Sequence, residues 1–141
     1  MAKMSRGVRN LNPGNIRLGG VRYKGEKHPS SDAAFRQFEA IEWGYRAMFV
    51  VLHTYAVKHH CHTLQEMISR YAPPCENHTE GYIRRVCDAT HLAADESICT
   101  TDGAVMTAIV AAMSEVENGA AANMDDIWRG WELFISDFGP K

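Results

Sequence analysis

Apolar residues recur at helical spacing through much of the chain after residue 40. One stretch runs from Ile41 to Lys58, where six apolar side chains fall on one helical face. The clearest stretch runs from about Asp102 to Asn118 and carries a continuous apolar stripe. It is followed by Gly119, a residue type that commonly ends helices. These patterns predict two long helices, each burying one face.

Between these two long helices, residues that cap or break helices predict two shorter ones. Thr63 and Glu66 have the spacing of a capping box, in which each side chain binds a backbone N–H of the other residue. A helix starting there must end by Tyr71, because Pro73-Pro74 cannot continue it. Another helix fits roughly Thr79–Ala89.

A last helix is predicted to begin at Asn123, a good N-cap residue. Asp125 and Asp126 suit its first turn, where the helix dipole favours negative charge. Four apolar residues are expected to form its buried face: Ile127, Trp128, Trp131 and Phe134.

The first forty residues are instead rich in Gly, Arg, Asn and Pro. The segment Asn12-Pro13-Gly14-Asn15 predicts a tight turn, because Pro presets one backbone angle and Gly or Asn accepts positive φ. A short hairpin is predicted over Ile16–Tyr23, with Phe35 and Phe38 anchoring the region to the core. The expected architecture is therefore a single domain over residues 1–141, mainly α or α+β, with a turn-rich N-terminal segment.

Composition narrows the class of protein. Hydrophobic residues make up 45% and charged residues 23%, which is typical of a globular domain. No apolar run reaches the roughly 20 residues of a membrane span, and no apolar signal-peptide core follows the basic start. The net charge of −2 conceals seven basic residues against Glu26 alone in residues 1–27. Such a basic edge attracts anionic polymers, peptidoglycan and nucleic acid included, although it could equally be a solvated tail.

Cysteine and histidine could provide metal or thiol chemistry. The four cysteines, Cys61, Cys75, Cys87 and Cys99, form no C-x-x-C pair, so the usual structural zinc spacing is absent and free thiols are expected. The tract His59-His60-Cys61-His62 could hold a metal but is more typical of a polar turn after a helix. A Cys–His hydrolase built on Cys75 or Cys87 stays open. We expect no metal and no cofactor.

Carboxyl groups offer acid catalysis. Glu115 and Glu117 lie on opposite edges of the apolar stripe near the end of their helix, so periodicity does not choose between them. Either could protonate a leaving oxygen if a partly apolar pocket raised its pKa, and either could be an ordinary solvated side chain. Glu76, beside Asn77 in the loop stiffened by two prolines, is a third candidate; its alternative role is to open the following helix.

Amide and guanidinium groups near the N-terminus suit carbohydrate binding. Asn12, Asn15 and Arg17 could bind hydroxyl, acetamido or carboxylate groups, although the asparagines could simply make the turn. The sequence has no P-loop, no dinucleotide-binding fingerprint and no H-E-x-x-H motif.

The run Arg6-Gly7-Val8-Arg9-Asn10-Leu11-Asn12-Pro13-Gly14-Asn15-Ile16-Arg17 resembles the opening of small lysozyme-like proteins of phages and prophages, described as virion structural or lytic-transglycosylase-like proteins. Three later segments keep the order of that family: Gly44-Tyr45-Arg46-Ala47, Ala72-Pro73-Pro74-Cys75-Glu76-Asn77-His78-Thr79 and Glu117-Asn118-Gly119. The resemblance covers about residues 6–119. After Gly119 the chain departs from the family pattern with Ala120-Ala121-Ala122.

This resemblance implies a lysozyme-like fold acting on peptidoglycan, and it favours Glu117 over Glu115 as the acid, with Glu76 as a second candidate. The residues expected to hold sugar are Asn12, Asn15, Arg17, Gln37 and Asn77. In ordinary lytic transglycosylases the catalytic Glu precedes the turn segment, whereas here it follows. We therefore hypothesise a circularly permuted arrangement, which is tolerable because chain ends of compact domains often lie close together.

The expected function is cleavage of the bond between N-acetylmuramic acid and N-acetylglucosamine by a glycosidase or lytic transglycosylase. The alternative is a non-catalytic virion structural or wall-binding module on the same scaffold. Nucleic-acid binding ranks below both, because no recognised motif for it is present. Expected partners are glycan strands and other virion proteins. The expected route is synthesis in the cytoplasm and delivery to the wall by a virion, by lysis or by a secretion apparatus.

Overall fold

The structure, a computed structural model, describes residues 4–74 and 77–139. Its elements, in chain order, are α1 (Arg6–Arg9), β1 (Glu26–Lys27), β2 (Gln37–Phe38), α2 (Ile41–His59), α3 (Leu64–Tyr71), α4 (Thr79–Thr90), α5 (Gly103–Asn118) and α6 (Met124–Phe138). The predicted mainly α architecture is confirmed. Within the described ranges, none of the helices combines the length and the apolar character needed to cross a membrane.

The predicted caps of α3 and its end are confirmed. Thr63 Oγ1 accepts a hydrogen bond from the backbone N–H of Glu66 at 3.2 Å, and the Glu66 carboxylate accepts one from the Thr63 N–H at 3.1 Å. The helix ends at Tyr71, ahead of the two prolines. Local hydrogen-bonding chemistry thus places both ends of this helix.

The caps of the two C-terminal helices also agree with the sequence patterns. Asp102 caps α5 by accepting from the N–H of Val105, and Gly119 ends that helix with a left-handed φ of 71°. Asn123 caps α6 by accepting from the N–H of Asp125 at 2.9 Å. A residue with a Cβ would be strained at the left-handed position after α5.

The core lies among α2, α3, α4, α5 and α6. Phe49 of α2 packs edge-on against Trp131 at a ring-centroid distance of 5.1 Å and lies 5.9 Å from the ring centroid of Phe134. These aromatic contacts join α2 to α6. Gly130 lets α6 approach α2 closely, since an added Cβ would lie 2.9 Å from the Glu42 carbonyl. The prediction that Trp128 is buried was wrong: it is 41% exposed, and its ring lies beside Gly103 at the start of α5.

The predicted hairpin over Ile16–Tyr23 was also wrong. Arg17 instead bridges Phe35, and β1 pairs with β2 in antiparallel register with Glu26 opposite Phe38. The segment 18–22 has no buried face to dictate a local pairing, and its side chains are exposed. Phe38 of β2 is 2% exposed and anchors this strand in the interior, and β1 pairs with it.

Candidate functional site

The turn Asn12–Asn15 is held by three helices at once. Gly44 of α2 packs directly on the backbone of Leu11, where a side chain would collide. At the end of α3 the hydroxyl of Tyr71 donates to the carbonyl of Gly14. At the end of α5 the side-chain amide of Asn118 donates to the carbonyl of Pro13 at 2.8 Å. The N-terminal turn is therefore a tertiary junction.

Asn118 also ties the first helix to α5. Its Oδ1 accepts a hydrogen bond of 2.7 Å from Ser5, the N-cap of α1. The backbone of Gly7 lies so close to Asn118 and Asn15 that no Cβ fits there. The N-terminal segment thus lies against the C-terminal end of α5, next to Glu117.

Glu117 is half-buried and its carboxylate has two side-chain donors. Asn15 Nδ2 donates to Oε1 at 3.0 Å, and the Tyr82 hydroxyl donates to Oε2 at 3.0 Å. Burial raises the pKa of Glu117 above its usual value of 4.5, and the hydrogen bonds from Asn15 and Tyr82 oppose that rise. Among the described residues no cation forms an ion pair with this carboxylate. Its ability to keep a proton therefore comes from desolvation.

Tyr82 supports Glu117 from α4. The ring is 6% exposed, and burial together with the nearby charge of Glu117 raises the pKa of the Tyr82 hydroxyl. The hydroxyl therefore stays protonated, so it can donate to the ionised form of the carboxylate. Asn15 has a left-handed φ of 48°, which Asn tolerates better than most residues and which the turn signal predicted.

Two cavities meet at Glu117. The larger, about 500 Å³, is lined by residues of the N-terminal turn, of α2 and of α3, including Asn15, Arg17 and Tyr71. The smaller, about 340 Å³, lies toward α4 and includes Tyr82. Glu117 and Asn77 line both. Cavities of roughly 300–1,000 Å³ suit small-molecule or sugar-unit ligands, so Glu117 stands between two spaces of that kind.

A buried ion pair supports the wall of the larger cavity. Arg36 and Glu26, 4% and 5% exposed, join at 2.5 Å, and Arg36 Nε donates to the carbonyl of Arg17 at 2.9 Å. The guanidinium of Arg36 also lies 4.9 Å from the ring centroid of Tyr23. This pair fixes the backbone of the segment that carries Arg17 toward the cavity.

Three of the five residues predicted to hold sugar line the cavities: Asn15, Arg17 and Asn77. The other two require correction. Asn12 is fully buried. Its side-chain amide donates to the carbonyls of Ile16 and Arg36 and accepts from the N–H of Ile16, so it stabilises the turn and cannot touch a ligand. Gln37 bonds Asn10 and Ser31 outside both cavities, because the register of β2 points it toward that loop. These two amides are structural.

The acid candidates are placed differently. Glu115 is exposed, whereas Glu117 lines both cavities. Glu76 and Cys75 lie outside the described residues. Of the other cysteines, Cys61 and Cys87 are partly buried and Cys99 is exposed, all are free, and none is among the described residues that line the two cavities.

The His59–His62 tract was the candidate metal site. Within residues 4–74 and 77–139, no group of three or more His, Cys, Asp or Glu side chains is arranged to hold a metal ion. His60 takes a left-handed φ of 56° as the C-cap of α2, as in a turn that ends a helix.

Sequence reasoning missed the aromatic and basic contributors from the helices. Tyr71 and Tyr82 contact the turn and the acid, and Arg70 lines the larger cavity. Their positions in two short predicted helices flanking the proline loop were the available signal. Periodicity alone does not distinguish a tyrosine facing a site from one in the core.

No family model matches the chain. Protein P5 of Pseudoalteromonas phage PM2 is 35% identical over 132 residues, which cover 91% of this chain and 81% of the relative. A phage relative agrees with the phage or prophage origin that the N-terminal motif suggested. At this identity and coverage, the chain belongs to the family of protein P5 of Pseudoalteromonas phage PM2.

Proposed function

We propose that this protein cleaves the glycan strands of peptidoglycan, with Glu117 as the catalytic acid. The observation that carries the proposal is the position of Glu117 at the junction of two cavities, half-buried and with a raised pKa. An acid that attacks a bond between two sugars must lie between the spaces those sugars occupy and must hold a proton near neutral pH. Glu117 lines both cavities, and burial shifts its pKa in the direction that favours the protonated acid.

In the proposed reaction the protonated Glu117 donates its proton to the glycosidic oxygen between N-acetylmuramic acid and N-acetylglucosamine, and the bond breaks. The resulting carboxylate then accepts the proton of the muramic 6-hydroxyl, whose oxygen bonds to the anomeric carbon. The product is an anhydro sugar, and Glu117 ends protonated as it began. Asn15 and Tyr82 orient the carboxylate in both states.

The transglycosylase route is favoured over hydrolysis by the carboxylates available. Glycosidases that use water or a covalent intermediate pair two carboxyl groups about 5–9.5 Å apart. Among the described residues lining the two cavities, Glu117 is the single carboxylate. The intramolecular route needs no second carboxylate, since the substrate supplies its own nucleophile. Glu76 is the residue whose substitution tests the hydrolytic variant.

The contact between Glu117 and the N-terminal turn also supports the permutation hypothesis. The hypothesis would be excluded if Glu117 lay far from the segment Asn12–Arg17, and the 3.0 Å hydrogen bond from Asn15 to Glu117 meets the requirement of proximity. A lysozyme-like arrangement in which the acid-bearing helix comes late in the chain accounts for the motif order.

The test is digestion of purified sacculi, with the soluble products identified by mass spectrometry. We expect anhydromuropeptides from the wild type and none from Glu117→Gln. Glu115→Gln is the matched control, because it makes the same change on the exposed side of the same helix end. Reducing-end products that disappear in Glu76→Gln would establish hydrolysis instead. No products, on sacculi that another lysozyme digests, would refute catalysis and leave a wall-binding or virion structural module.

A further inference from the structure

Two arginines at the larger cavity are held by aromatic rings and not by acids. The guanidinium of Arg17 lies 5.1 Å from the ring centroid of Phe35, and that of Arg70 lies 5.2 Å from the ring centroid of Tyr55. All four side chains line the cavity, and both arginines are exposed.

Neither Arg17 nor Arg70 forms an ion pair with a carboxylate in the part of the chain that the structure describes. Four other arginines do form such pairs: Arg6 with Asp32, Arg36 with Glu26, Arg46 with Asp137 and Arg129 with Asp126. The positive charge at this cavity is therefore not cancelled in the way that it is at those four places.

A guanidinium that lies over a ring can still present an N–H edge to another partner. That edge matches a carboxylate in two parallel hydrogen bonds. Two such groups beside one cavity, whose single described carboxylate is Glu117, make a site for an anionic ligand with more than one carboxylate. Because both groups come from fixed elements, the loop bridged to Phe35 and the end of α3, the site is preorganised.

We propose that Arg17 and Arg70 bind the carboxylates of the peptide stems that glycan strands carry on their muramic residues. The identity of the polymer rests on the proposed function. The N-acetylated sugar rings carry no charge. The carboxyl of the lactyl group is joined to the stem through an amide bond and is therefore neutral as well. The negative charges of a strand that carries stems thus lie on the stems. The pair would make the protein prefer strands with charged stems over strands with the same sugars and neutral stems.

The experiment measures binding of soluble glycan strands by the Glu117→Gln protein, which separates recognition from cleavage. Native strands are compared with strands whose stem carboxylates have been converted to primary amides. We expect at least tenfold tighter binding of the native strands, and this ratio should fall at high ionic strength. In the same background, R17Q/R70Q should remove the preference by weakening native binding only. R84Q is the matched control, since Arg84 is exposed and lines neither cavity.

Equal binding of native and amidated strands, or equal loss on both in R17Q/R70Q, would overturn the proposal. Tighter binding of duplex DNA than of native strands, abolished in R17Q/R70Q, would overturn it in favour of a nucleic-acid site. Failure of the proposed function is a separate result. Charge-dependent binding without cleavage of sacculi by the wild type would refute catalysis and support the subsite. Cleavage of sacculi by the wild type, together with no preference for charged stems, would support the proposed function and overturn the stem-binding subsite.

Discussion

Neutralising one side of the buried ion pair between Glu26 and Arg36 should destabilise the protein strongly. Glu26→Gln keeps the shape of the side chain but leaves the guanidinium of Arg36, 4% exposed, without its counter-charge. Breaking a buried pair from one side costs about 3–5 kcal/mol. The lower end, about 3 kcal/mol, applies because the Gln oxygen can still accept a hydrogen bond and the carbonyl of Arg17 still binds Nε.

Urea unfolding followed by circular dichroism measures this cost. With a denaturant slope of about 2 kcal/mol/M, a loss of 3 kcal/mol lowers the midpoint by about 1.5 M. A loss of about 3 kcal/mol is a large part of a total free energy of unfolding of about 5–15 kcal/mol. Lys27→Gln, at the exposed neighbouring position, is the control and should shift the midpoint little.

The double variant Glu26→Leu/Arg36→Met tests whether the uncompensated charge causes the loss of stability. Removing both charges together leaves no uncompensated ion, and apolar replacements of similar volume are neutral or stabilising at many buried pairs. We expect the double variant to be more stable than Glu26→Gln but less stable than the wild type, because the carbonyl of Arg17 and the N–H of Tyr23 lose their hydrogen-bond partners. A loss below about 1 kcal/mol for Glu26→Gln, the range of surface pairs, would refute the reasoning that desolvation dominates here.

Three further predictions follow from the site and its caps. Because burial raises the pKa of Glu117 in the folded protein, the stability it contributes is fully present below its unfolded value of 4.5 and is lost as pH rises through the higher folded value. Glu117→Gln should therefore have a higher Tm than the wild type at pH 7 to 8 and an equal Tm near pH 4; a difference that persists at pH 4 would contradict this. Tyr82→Phe removes a donor that favours the ionised carboxylate, so the pKa of Glu117 should rise and the alkaline limb of the pH–activity profile should move to higher pH; an unmoved limb would count against the role given to Tyr82. Thr63→Ala should lower stability by about 1 kcal/mol in urea titrations through loss of the capping bond to Glu66, and an unchanged midpoint would show that the cap is dispensable.

Sequence determined the features that depend on neighbours within a few residues. The capping box at Thr63, the N-cap at Asn123 and the stop at Gly119 were all predictable, because each depends on hydrogen bonds or backbone angles within one helical turn. The long apolar stripe of α5 predicted that helix from the same kind of local information. The family resemblance of the segment Glu117-Asn118-Gly119 pointed to Glu117 but could not describe its surroundings.

Tertiary structure decided which side chains meet. Asn12 and Asn15 belong to the same turn signal, yet Asn12 is buried as a backbone brace whereas Asn15 reaches Glu117, 102 residues away. The choice between them depends on how the end of α5 packs against the turn. Similarly, nothing local indicates that Tyr82 donates to Glu117 or that Arg70 shares a cavity with the N-terminal segment. Periodicity states that a residue is on a face, but only the packing of helices states what that face meets, and both the raised pKa of Glu117 and its hydrogen bonds arise there.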